Sequence, residues 1–225
     1  DLVKEESRYF QLVTNDYWGQ SSYSQIESYF VTTTFQKYFG GSHQDVGRST
    51  QQTADGGYII TGSTTSQGYG GDDFLLIKTD SSGNEEWNQA YGGGDQDVGY
   101  SVQQTNDGGF IITGVTYSFG SGSGDVWLIK TDYLGTREWD QTFGSSTDDG
   151  GSSVKQTLDN GFIVVGKTQS TDSGAYDVWL IKTDSQGNEE WNQTFGGSNN
   201  DKGNSVQVTP DGGYIIGGST NSYGS

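Results

Sequence analysis

Residues 127–139 read WLIKTDYLGTREW, residues 179–191 read WLIKTDSQGNEEW, and residues 75–87 read LLIKTDSSGNEEW. A catalytic motif is needed once. A phrase copied three times points to a repeated structural unit, so its period decides the fold. Asp45, Asp97, Asp149 and Asp201 are spaced 52 residues apart. Phe39, Tyr91, Phe143 and Phe195 keep the same interval, and so do Gly47, Gly99, Gly151 and Gly203. A constant period without drift means one unit copied with no insertions.

Each unit reads as four short strands. The first is typified by SVQQT (101–105), followed by the turn NDGG (106–109), where Gly supplies φ > 0. The second is FIITG (110–114), matched by YIITG, FIVVG and YIIGG. The third, DVWLIKT (125–131), is apolar on both faces, as in a strand covered on both sides. A D-x-x-G turn leads to the fourth, EWDQTFG (138–144). No stretch has a helical period. Regular short strands with turn signals predict an all-β chain, and four strands per unit of about 50 residues predict a four-bladed β-propeller.

In this reading Asp80, Asp132 and Asp184 cap tight hairpins, and Gly83, Gly135 and Gly187 supply permissive backbone. Trp87, Trp139 and Trp191 lie flat between adjacent blades, each burying about 150–250 Å². The pattern D-x-x-G-x-x-x-W resembles the tryptophan-docking signature of quinoprotein-type propeller blades. The whole unit, with DGGYIITG, DVWLIKTD and GNEEWNQTFGG, resembles the repeats of secreted bacterial and archaeal β-propeller proteins, over residues 38–225. The resemblance implies a fold and a location outside a prokaryotic cell. It does not imply an activity.

The fourth unit stops at NSYGS (221–225), after its second strand. At the other end, ESYFVTTT (27–34) aligns with DFLLIKTD (73–80), and Phe35 takes the place of Trp87 once SSGNEE is deleted. Residues 27–39 therefore read as a degenerate third and fourth strand. The units become 39–90, 91–142, 143–194 and a split unit of 195–225 with 27–38. These strands complete the last blade either of their own molecule, closing the ring and removing a sheet edge, or of a neighbour, by strand addition. Residues 1–26 form an aromatic extension with a strand-like stretch, RYFQLVT (8–14). The candidate assembly contacts are Tyr9, Phe10, Leu12, Tyr17 and Trp18 of this extension, with Tyr29 and Phe30 of the strands that follow.

Composition narrows the function. The 225 residues carry a net charge of −18, which disfavours nucleic acid and anionic membranes. No apolar run is long enough to insert into a bilayer. Cys is absent, so no disulfide or thiolate site exists. Met is absent too, and a chain lacking it is expected to be a fragment or to begin after processing, most simply removal of a secretion signal. The sequon Asn192-Gln193-Thr194 is read as a chance match.

Chemistry is sparse. His43 is the only His, and its counterparts are Asp95, Thr147 and Asn199, which suits a solvated loop. No Ser-His-Asp set, Cys nucleophile or phosphate loop is present. Carboxylate pairs such as Asp72/Asp73 and Asp148/Asp149 lie in repeated turns, whereas a glycosidase needs one differently tuned pair. Quinoprotein dehydrogenases are larger rings with repeat-breaking cofactor residues, so no quinone is expected here. Asp45, Asp97, Asp149 and Asp201 are weak calcium candidates, better read as turn caps. Asp73, Asp125 and Asp177 at one end of the third strand, with Lys78, Lys130 and Lys182 at the other, read as structural charges open to pairing. The expectation is a non-catalytic extracellular structural or adhesive module without a cofactor, self-assembling into a filament. The alternative is a monomer that binds a glycan or peptide.

Overall fold

The computed structural model describes residues 13–15, 21–23, 36–169 and 175–222. The chain divides into two compact units, Asp1–Gln36 and Lys37–Ser225; the boundary read from the sequence lies after residue 26. In the first unit, β1 (Val13–Asn15) pairs antiparallel with β2 (Ser21–Tyr23). The blade-docking candidate Phe35, the assembly candidates Tyr9, Phe10, Leu12, Tyr17, Trp18, Tyr29 and Phe30, and residues 27–35 of the expected strands lie outside the described residues. Residues 36–39, expected to finish a fourth strand, form none. Just after them the Asp45 carboxylate accepts from Gly41 N–H at 2.8 Å.

The second unit is all-β, with no helix among its described residues. Its first sheet is a meander of β3 (Asp45–Gln52), β4 (Tyr58–Thr64), β5 (Asp73–Thr79) and β6 (Glu85–Tyr91). The second holds β7 (Asp97–Gln104), β8 (Phe110–Thr116), β9 (Asp125–Thr131) and β10 (Arg137–Phe143). The third holds β11 (Gly150–Gln156), β12 (Phe162–Gln169), β13 (Tyr176–Thr183) and β14 (Glu189–Phe195). A fourth has two described strands, β15 (Asp201–Val208) and β16 (Tyr214–Thr220). All pairings are antiparallel, as connections of only five to eight residues between consecutive strands require.

The apolar third strands explain the packing. Every residue of β5 and of β9 is buried, because each strand has a sheet neighbour on both edges and side chains against both faces. β6 and β10 begin with exposed charged residues, which blunt an outer edge. Apolar clusters fill the seams between consecutive sheets. Ile59, Phe74 and Leu76 meet Val102 and Ile112 at the first seam. Ile111 and Leu128 meet Val154 and Val164 at the second, and Ile163 and Leu180 meet Val206 at the third.

In each sheet the first strand carries a β-bulge opposite the second. The register steps from Gly47 to Ser49, from Gly99 to Ser101, from Gly151 to Ser153 and from Gly203 to Ser205. The residue left unpaired is Arg48, Tyr100, Ser152 or Asn204. A bulge re-aims one side chain out of the alternation, and here the four units carry four different residues at it.

Candidate functional site

Each fourth-strand tryptophan rests in a slot supplied by the following sheet. Trp87 meets Phe110 at 5.8 Å between centroids, Trp139 meets Phe162 at 5.7 Å, and Trp191 meets Tyr214 at 6.1 Å. The rings are inclined to these aromatic partners by 61°, 59° and 52°, because an aromatic edge is attracted to a neighbouring ring face. The other wall of the slot is a turn glycine. A Cβ on Gly135 would stand 2.7 Å from Trp87 Cζ3, and one on Gly187 would stand 2.6 Å from Trp139 Cζ3. Gly83, Gly135 and Gly187 all have φ between 74° and 81°.

The aspartates that open these turns cap them. Asp80 Oδ1 accepts from the N–H groups of Ser82 and Asn84, both at 2.8 Å. Asp132 does the same for Leu134 and Thr136, and Asp184 for Gln186 and Asn188. Tyr91 OH donates to the Gly135 carbonyl across the seam at 2.5 Å.

The charges that bracket the third strand do not pair with each other. Lys78 Nζ is buried and reaches Asp55 Oδ2 at 2.8 Å and Glu86 Oε2 at 2.8 Å, and it donates to the Thr79 carbonyl at 2.9 Å. Lys130 joins Asp107 and Glu138, and Lys182 joins Asp159 and Glu190, in the same manner. The lysine thus ties the first hairpin turn to the fourth strand. The aspartate at the far end turns toward the next sheet instead. Asp73 Oδ2 accepts from Tyr69 N–H and Asp125 Oδ2 from Ser121 N–H, each at 2.8 Å.

The calcium candidates also cap loops. Oδ2 of Asp45, Asp97, Asp149 and Asp201 accepts from the N–H four residues upstream, at 2.8, 2.9, 2.8 and 3.0 Å. Among the described residues no group of three or more His, Cys, Asp or Glu side chains is placed to hold a metal ion.

These carboxylates set the pH response. The Thr157 hydroxyl, with Lys182 beside it, lowers the Asp159 carboxyl to about 2, and Asp55 and Asp107 are lowered as well. Such groups stabilise the fold above their ordinary value of 3.8, and the contribution is lost as pH falls toward 2. Asp73 has the opposite sign. Burial, reinforced by the charges of Asp97 and Asp72, raises it to about 6, so its ionisation destabilises the fold as pH rises from 3.8 through 6. In chelator-containing buffer the melting temperature should therefore pass through a maximum between pH 4 and 6, measured by scanning calorimetry. Asp159→Asn should flatten the acid limb and Asp73→Asn the limb above it. A monotonic profile would contradict this assignment.

One cavity gathers residues that the repeat does not share. About 200 Å³ in volume, it is lined by the bulge residues Tyr100, Ser152 and Asn204 and by Tyr117, Asp148 and Lys167, among others. Lys167 pairs with Asp148 Oδ2, which also accepts from Tyr176 OH at 2.8 Å. The Lys167 ammonium lies 3.9 Å from the Tyr176 ring centroid, and the Arg48 guanidinium lies 5.0 Å from that of Tyr100. Burial opposes ionisation of Asp148, but Lys167 and Tyr176 prevail and hold its carboxyl below the usual range. A carboxylate fixed in an ion pair supplies no proton at neutral pH, and beside it the cavity offers aromatic faces and hydrogen bonds. Position-by-position comparison of the units could have found this site: the bulge position reads Arg, Tyr, Ser, Asn, and Asp148 stands where the other units have Gln44, Gln96 and Asn200.

No protein-family model matches the chain, and no curated protein matches it. It is similar to a solved protein of unknown function from Bacteroides caccae, at 11% identity and a TM-score of 0.48, over 76% of this chain and 52% of that one. It is also similar to the tail fiber of Staphylococcus aureus phage P68, at 11% identity and a TM-score of 0.27, over 77% of this chain and 46% of that one. The chain spans about half the length of either.

Proposed function

We propose that this chain is a non-catalytic extracellular structural module of a prokaryote: a four-bladed β-propeller that assembles into a filament when residues 27–39 of one molecule complete the fourth sheet of the next. The observation that carries the reading is Ile215. It is 64% exposed, whereas its counterparts Ile59, Ile111 and Ile163 are 0% exposed. The same residue type at the same place in the strand is core in three sheets and surface in the fourth. Trp191, facing that sheet, is 40% exposed.

The seam that the fourth sheet would form with the first is poor in apolar groups. Thr50 stands where the other first strands have Val102, Val154 and Val206. Gly217 stands where β12 has Val165, and a Cβ there would meet nothing within 4 Å. Each missing methyl-sized group removes about 1 kcal/mol of burial from intramolecular closure. An uncovered strand face invites added strands, and head-to-tail addition that does not close on itself gives a fibre. The secreted propeller repeats that the units resemble support the extracellular placement.

The test pairs two chains. One lacks residues 1–38 and so has no donor. The other carries Ile215→Asp and so has a blocked acceptor. Light scattering should show the full chain growing beyond its 24.3 kDa monomer, each altered chain remaining small, and their mixture forming a one-to-one pair. A full chain that stays monomeric at every concentration, with no pairing in the mixture, would mean that the strands close within one molecule. If that monomer retained glycans from an array through Tyr100 and Tyr117, the structural reading would give way to a binding module.

A further inference from the structure

The seams between consecutive sheets contain buried carboxylates that the packing leaves unbalanced. Asp73 at the start of β5 and Asp97 at the start of β7 belong to adjacent sheets, and both are 0% exposed. Each uses Oδ2 to cap a loop, Asp73 for Tyr69 N–H and Asp97 for Gly93 N–H. Each keeps a buried Oδ1 with no hydrogen-bond partner. The two side chains converge on Gly92. A Cβ there would collide with Asp73 Oδ1 and stand 2.8 Å from Asp97 Oδ2.

The geometry repeats at the other seams. A Cβ on Gly144 would collide with Asp125 Oδ1 and lie 3.0 Å from Asp149 Oδ2. One on Gly196 would collide with Asp177 Oδ1 and lie 2.9 Å from Asp201 Oδ2. The repeated glycine therefore does more than turn the chain: it leaves room where two carboxylates meet. Among the described residues no Lys, Arg or His forms an ion pair with any of these six aspartates. Buried charges of one sign need a counter-charge or a proton. The lysines of these sheets are committed elsewhere, to Asp55, Asp107 and Asp159 and their glutamate partners.

We infer that the Asp73/Asp97 pair binds a calcium ion across the first seam, and that Asp125/Asp149 and Asp177/Asp201 form related sites at the next two. Two carboxylates neutralise one divalent charge. Their oxygens are hard donors, and calcium accepts the irregular six-to-eight-oxygen shells that a pair of side chains plus main-chain carbonyls and water can supply. Magnesium requires a near-octahedral shell and keeps its water, which suits these buried positions poorly. The first seam is the strongest site, because both of its carboxylates retain a free oxygen. At the other two, Asp149 Oδ1 accepts from Gln169 N–H at 3.3 Å and Asp201 Oδ1 from Asn221 N–H at 3.1 Å. The ion would clamp one sheet to the next, and the inference does not depend on how the fourth sheet is completed.

The test uses the full chain stripped with chelator and desalted. Titration calorimetry with calcium chloride should show one to three sites per chain, and calcium at 100-fold above Kd should raise the melting temperature by about 5–10 °C. The Asp73→Asn/Asp97→Asn chain keeps both loop caps, because an amide oxygen still accepts from Tyr69 and Gly93. It should lose one site and most of the thermal shift while remaining folded in chelator. Equilibrium dialysis that retains no calcium would overturn the inference, since a shared proton or a water then balances the pair. A thermal shift reproduced by equal magnesium or by ionic strength alone would overturn it too, as would undiminished binding in the double variant.

Discussion

Replacing Trp127 by Ala should cost about 3–5 kcal/mol, the range for deleting a fully buried large aromatic. Trp127 is 0% exposed and sits in the cluster that joins the first two sheets. Its ring meets Phe74 at 4.9 Å and 64°, and Phe119 at 5.0 Å. Alanine would leave a cavity with stiff β-strand walls on both sides, which relax little. The lost hydrogen bond from Trp127 Nε1 to Asp140 Oδ2 (3.0 Å) adds less, because Asp140 is partly solvated and has Arg137 at 3.3 Å. For a chain of this size the change corresponds to a fall on the order of 10 °C in melting temperature. Urea unfolding followed by tryptophan fluorescence measures it. Trp191→Ala is the control, as that residue is already 40% exposed, and its cost should be smaller. Equal losses for the two would show that seam burial does not govern stability.

Gly187→Ala should be the most damaging single methyl group in the turns. Gly187 has φ of 81°, where an L side chain costs about 1–2 kcal/mol. The new Cβ would also press on Trp139 at 2.6 Å, and overpacking costs a further 1–3 kcal/mol or so. Gly108 separates the two effects. Its φ is 88°, but a Cβ there meets nothing within 4 Å. Gly108→Ala should therefore show the backbone strain alone. In a Trp139→Ala background the cost of Gly187→Ala should shrink toward that of Gly108→Ala, which a double-mutant cycle reads directly. If Gly187→Ala costs no more than Gly108→Ala in the parent chain, the tryptophan slot is looser than described.

The strands were legible because their signals are local. The period, the two turn types and the doubly apolar third strand place β9 on residues 125–131, as read from the sequence. The turn capping by Asp80, Asp132 and Asp184 is equally local, since donor and acceptor are two to four residues apart. What sequence could not supply is who meets whom across a seam. Lys78 and Asp73 look like natural partners at opposite ends of one strand. Register instead carries the lysine to Glu86 and to the hairpin turn at Asp55, while the aspartate faces Asp97 of the next sheet. The cavity around Tyr100 escaped for a related reason. Its residues depart from the repeat, and the bulge that re-aims Tyr100 is a property of strand pairing.

Every sheet here is a meander of consecutive hairpins, and the described seams join sheets that follow one another in the chain. Ribosomal synthesis at about 5–20 residues per second delivers a 52-residue unit in about 3–10 s. A hairpin closes within about 10 μs. Each sheet can thus be complete long before its successor emerges, and it then waits with one apolar face wet. For those seconds the nascent protein offers a ready template to its own next unit, so folding proceeds by accretion along the chain.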